Sequence, residues 1–144
     1  MPIVLAYDGS ELAAHAIEQA GQQLAPGREA VVVTVWQPSD VGFLPVDGQH
    51  LRAAAADEVR AAAEQTAAHG ATLAGAAGFR AQSVAVEAAP AWKGIVALAE
   101  ERGASLIVLG SHRRTGLVGH LLGSVASATV GHSPTSVLVI HQRD

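Results

Sequence analysis

Cysteine is absent from the 144 residues, which removes disulfides, thiolate zinc sites and cysteine nucleophiles together. Lysine is almost absent: Lys93 is the only one among nine basic residues, and the nine form no run. A protein that grips a nucleic-acid duplex relies on many phosphate contacts, so no nucleic-acid partner is expected. No apolar stretch approaches the ~18 residues of a membrane span, so no membrane partner is expected either. No basic residue precedes Asp8, and the pattern of a secretory signal is missing. The expected compartment is the cytoplasm. What is present is 49% hydrophobic and 15% charged, with a net charge of −4, the balance of a soluble globular chain rather than a disordered one. The length suits a single domain over 1–144, which hides roughly 68–70% of its unfolded surface.

Short runs rich in β-branched residues recur at Ile3–Tyr7, Val31–Trp36, Leu106–Leu109 and Val137–Ile140, with a weaker one at Ser83–Glu87. The first four are nearly continuous in apolar residues, as expected of strands buried on both faces. Helical patterns separate them. Ala13, Ala16, Ile17, Ala20 and Leu24 keep one face, with Ser10 as N-cap. A longer pattern runs from Gly48 to Gly78, weakened at Gly70 and Gly75. Pro90 opens a third helix that Gly103 closes, and a fourth runs from about Leu121 to His132. The order β-α-β-α-β-α-β-α-β predicts an α/β fold, an open five-stranded parallel sheet with helices on both faces. Ligands of such sheets bind beyond the carboxyl ends of the strands. The loops at Asp8–Ser10, Gln37–Gly48, Ala88–Ala89 and Gly110–Gly119 are therefore the places to search.

The richest of these is Leu109-Gly-Ser-His-Arg-Arg-Thr-Gly-Leu-Val-Gly-His-Leu-Leu-Gly-Ser124. Glycines allow close backbone approach, and free amides at a helix N-terminus face negative charge. Residues 102–143 hold four arginines and no acid, which also favours an anion. The Ser124 hydroxyl suits either a helix cap or a phosphate oxygen. An ordinary turn-rich loop is the competing reading. The Walker A loop is absent, and Asp8-Gly9-Ser10 is not the G-x-G-x-x-G dinucleotide fingerprint.

Other chemistry is thinly represented. The histidines show no ligand spacing for a metal, and no G-x-S-x-G elbow supports a serine triad. Asp8 follows a buried strand, where it serves a ligand or caps the first helix. His112 reads as an exposed loop residue that touches an anion only when protonated. Trp36 either shields a base or covers the edge of the core, while Trp92 reads as packing. The alanine-rich second helix, carrying Arg52, Asp57, Glu58, Arg60 and Glu64, reads as a solvated face.

Ile3-Val-Leu-Ala-Tyr-Asp-Gly-Ser10, Ala104-Ser-Leu-Ile-Val-Leu-Gly-Ser-His112, Leu122-Gly-Ser-Val125 and Pro134-Thr-Ser-Val-Leu-Val-Ile140 together resemble the universal stress protein family across the whole chain. The resemblance implies an adenine nucleotide alpha hydrolase-like fold, a homodimer through the edge strand Ser136–Ile140, and in one branch an ATP site, with magnesium where it is used. That branch carries G-x2-G-x9-G-S/T. Gly110, Gly123 and Ser124 match it, and Arg113 stands in place of the second glycine. By resemblance, Asp8 lies near the ribose and any magnesium, and the Val35 backbone meets adenine. Gly110 approaches the ribose, while Gly123, Ser124 and the amides of Val125 and Ala126 hold phosphates. Ala6, Tyr7, Ser111, Arg113 and Gly116 complete the implied site. Arg113 is strained or obstructive if that position needs φ > 0 or bare backbone, and otherwise adds a charged contact. The functions implied are an ATP-binding stress-response regulator, a slow ATP hydrolase, or a nucleotide-free dimeric scaffold.

Overall fold

In the computed structural model, residues 1–37, 49–113 and 123–143 are described. The elements in chain order are β1 (Ile3–Ala6), α1 (Glu11–Gln23), β2 (Glu29–Trp36), α2 (Gln49–Ala76), β3 (Arg80–Glu87), α3 (Ala91–Glu101), β4 (Leu106–Arg113), α4 (Ser124–His132) and β5 (Val137–Arg143). The strands form one parallel sheet in the order β3-β2-β1-β4-β5. The alternation read from the sequence is therefore the fold, with β1 and β4 flanking the point where the winding reverses.

Alternation along the central strands divides the core between two faces. Ile3, Leu5, Val32 and Val108 pack with Ala16, Ile17 and Ala20 of α1 and Ala74 of α2. Val4, Val31, Val33, Ile107 and Leu109 pack with Ile95, Leu98 and Ala99 of α3 and Ala126 of α4. Where β1, β2 and β4 are covered on both sides, at residues 3–6, 30–33 and 106–109, their side chains are apolar at every step, which is why those stretches are continuous apolar runs in the sequence. The edge strand β3 has one neighbour and is largely exposed or half-buried, so its apolar signal is weaker and shorter than the strand itself.

Several boundaries differ from the sequence reading. β4 does not stop at Leu109 but continues through Gly110, Ser111, His112 and Arg113, because β5 pairs with it to the end: Gly110 opposes Ile140 and Arg113 opposes Arg143. Gly110–Arg113 is strand, not loop. α4 begins at Ser124, with Gly123 as N-cap and no side-chain cap, so Ser124 does not cap the helix. α2 runs unbroken through Gly70, where a Cβ would lie 2.6 Å from the Tyr7 ring and 2.7 Å from a Val32 methyl. That glycine is a packing requirement against the sheet, and its helix-breaking tendency is overruled.

Candidate functional site

The chain leaves β1 through a turn built by three consecutive residues. Tyr7 continues the sheet, its amide donating to the Val33 carbonyl and its own carbonyl accepting from the Thr34 hydroxyl. Gly9 has φ +86°, a conformation that side-chain-bearing residues rarely adopt, and it turns the chain towards α1. Ser10 then caps α1, its hydroxyl accepting from the Ala13 amide at 3.1 Å. The Asp8 carboxylate accepts from the Ser10 amide at 3.0 Å. Asp8 is exposed, and one of its oxygens is committed to holding this turn. Of the two roles open to it in the sequence, the cap belongs to Ser10.

Beyond the carboxyl ends of β1, β2 and β4 lies a cleft of about 470 Å³, within the size range of small-molecule sites. Its floor is apolar, from Ala6, Val33, Val35, Ile95 and Leu109. Its polar groups are Asp8, Ser10, Ser111, His112 and the start of α4 at Gly123–Ala126. Ser124, Val125 and Ala126 occupy the first turn of α4, where amides have no acceptor within the helix. The Ser127 amide is the first to bond back, to the Gly123 carbonyl. The helix dipole adds partial positive charge at the same place. Among the described residues, a Cβ on Gly123 would meet nothing within 4 Å.

The cleft brings together ten of the residues singled out in the sequence: Ala6, Tyr7, Asp8, Val35, Gly110, Ser111, Gly123, Ser124, Val125 and Ala126. Gly116 lies outside the described residues, as does the Arg113 side chain. The Arg113 backbone is strand, and among the described residues no non-glycine has positive φ, so arginine there carries no left-handed strain. Gly110 lines the cleft and also serves packing. Its missing Cβ would point at the Leu12 carbonyl, 2.9 Å away, and at Ala16, so the glycine lets α1 sit against β4. Trp36 is buried at the end of β2 and does not line the cleft, which makes it cover for the core edge. Trp92 stacks on His132 of α4, ring centroids 4.2 Å apart, and Lys93 lies over the same indole.

The site also holds residues that the sequence reading passed over. Val33 lies two positions before Val35 and Leu109 two before Ser111, so strand periodicity alone pointed to both. Leu12 and Ala13 follow from the tight turn at Gly9. Ala91 and Ile95 come from α3 across the sheet, and no local signal marked them. His112 was read as an exposed loop residue; it is exposed, but on a strand at the cleft wall. Electrostatically, burial first and Asp8 second push the Tyr7 phenol above its ordinary pKa. No cluster of three or more metal-ligating side chains occurs among the described residues.

Residues 1–141 match the universal stress protein family. The chain belongs to that family. Among curated proteins, none matches it. Solved structures share its fold. Hypothetical protein MJ0577 is 20% identical, with 99% of this chain and 96% of that chain covered and a TM-score of 0.77. A universal stress protein in complex with cAMP is 24% identical, covered over 98% and 96%, with a TM-score of 0.66. One from Archaeoglobus fulgidus in complex with dAMP is 21% identical, covered over 97% of each chain, with a TM-score of 0.58. In this family member no helix among the described residues is long and apolar enough to cross a membrane.

Proposed function

We propose that this universal stress protein is a regulatory module that binds an adenine nucleotide, ATP by preference, in the cleft beyond β1 and β4. The observation that carries the reading is the convergence of α4's free amides, at Ser124, Val125 and Ala126, on an open glycine, Gly123, at the mouth of an apolar slot. Amides and a helix dipole suit phosphates, and the slot between Val33, Val35 and Ile95 suits a flat base. The complexes of relatives with cAMP and dAMP support adenine as the base. ATP rather than a monophosphate is favoured by the length of the donor row, three successive first-turn amides of α4.

Asp8 fits a magnesium ion only in company with nucleotide phosphates, since it is a lone carboxylate with one oxygen already engaged. Magnesium would screen the charge of the triphosphate beside that carboxylate. Lys93, the chain's single lysine, lies on Trp92 and not in the cleft, so the phosphates are held by amides and hydroxyls rather than by an ammonium. Holding and signalling, in the cytoplasm and as a homodimer through β5, is the role this suits.

Mass spectrometry of the nucleotide that co-purifies with the protein tests the ligand class. Calorimetry on Gly123→Val tests the place. The branched side chain meets no described residue within 4 Å of its Cβ, so the fold is expected to survive, while ATP affinity falls at least about tenfold, ~1.4 kcal/mol. Equal affinity in both proteins removes the assignment.

A further inference from the structure

Two buried threonine hydroxyls among the described residues are satisfied by backbone carbonyls: Thr34 donates to Tyr7 and Thr129 to Val125. Ser111 is the departure. The residue is 1% exposed, and its buried hydroxyl has no hydrogen-bond partner among the described residues. Leaving a hydroxyl buried and unpaired is unfavourable, and where a native protein does so the group has another use.

The register says which way this hydroxyl faces. Leu109, two residues earlier, packs with Ile95 and Ala126 in the cluster under α3 and α4. Gly110, between them, turns its Cβ direction towards Leu12 of α1. Ser111 therefore lies on the α3–α4 side of the sheet, the side where α4 begins, and it lines the same cleft as Ser124, Val125 and Ala126. One strand residue and one helix terminus face a shared space, and both bring hydrogen-bond donors without acceptors.

We infer that the Ser111 hydroxyl donates to a phosphate oxygen of the bound nucleotide, so that donors from β4 and α4 close on the phosphates from two sides. The inference rests on the nucleotide-binding reading and deepens it by assigning the residue that distinguishes a nucleotide from its uncharged nucleoside. A hydroxyl kept unpaired in the free protein meets its acceptor only when a charged oxygen arrives, and bonds to charged groups are the stronger ones.

Titration calorimetry of wild type and Ser111→Ala with ATP and with adenosine, alongside thermal melts of both proteins without ligand, tests this. The variant is expected to bind ATP about tenfold more weakly and adenosine equally well. Without ligand it melts at or above the wild-type temperature, since no internal hydrogen bond is lost. Undiminished ATP binding overturns the assignment while leaving the nucleotide site standing. Parallel losses for ATP and adenosine overturn it in favour of a ribose contact, and a lower melting temperature without ligand overturns it in favour of an internal partner. Wild type that binds neither compound at millimolar concentration overturns the nucleotide reading itself.

Discussion

A Cβ on Gly110 would lie 2.9 Å from the carbonyl oxygen of Leu12, so β4 and α1 touch backbone to backbone beside the cleft. The first glycine of the family motif sets how far α1 stands from the sheet and also lines the cleft. Gly123 contrasts with it, since among the described residues a Cβ there meets nothing within 4 Å. Of these two motif glycines, one is required by packing between described elements and the other is not.

That separation is measurable. Gly110→Ala must shift α1 or β4 and is expected to cost about 1–3 kcal/mol, as overpacking does. Chemical denaturation reads it. A variant as stable as wild type contradicts the close contact.

The Tyr7 phenol is held above its ordinary range, by burial foremost and by Asp8 second. The unfolded chain therefore loses this proton near pH 10 while the folded chain still keeps it. Stability is complete below that pH and declines as pH rises through the interval between the unfolded and folded values. Tyr7→Phe is expected to flatten the decline of melting temperature above pH 10. Superimposable pH profiles for the two proteins would sink this account of the residue.

β5 lies at the sheet edge with Val137, Leu138 and Val139 half-buried. An apolar edge strand pairs readily with a second copy, and two-fold symmetry makes that pairing antiparallel. Wild type is expected to sediment as a dimer at micromolar concentration, and Val139→Lys as a monomer, because like charges then meet across the two-fold axis. A monomeric wild type contradicts the dimer.

How far the sequence went is clearest at β4. Its first residues, Leu106–Leu109, are an apolar run because helices cover both faces, so the strand was legible. Its continuation through Ser111 and His112 was not, because polar residues there are strand only by virtue of pairing with β5, a partner some thirty residues away. α2 shows the same limit. Gly70 weakens a helix locally, and its compensation, close contact with Tyr7 and Val32, exists only in the assembled fold. The site divides likewise. Asp8 follows from the end of β1 and Gly123–Ser124 from the glycine-rich stretch before a helix, whereas Ser111, Val125 and Ala126 entered through the family resemblance and Ala91 and Ile95 arrive from α3 by packing alone.

Arg113 is where the chain leaves its family's motif. Its strand backbone is unstrained and pairs in register with Arg143. With no backbone strain for glycine to relieve, two effects remain, a side chain that obstructs close approach and a positive charge that favours a triphosphate; the charge is expected to prevail. Arg113→Ala is expected to bind ATP about threefold more weakly at low salt, ~0.6 kcal/mol, with the difference shrinking as salt is raised. Tighter binding by this variant or by Arg113→Gly would show obstruction instead.

The central claim, that α4 presents its first-turn amides to nucleotide phosphates, is tested most directly by amide resonances. With uniformly ¹⁵N-labelled protein, addition of ATP is expected to move the Ser124, Val125 and Ala126 amide signals, saturably and further than adenosine does. Signals of these three amides that stay in place while others shift, or no shift anywhere at millimolar ATP, would contradict it.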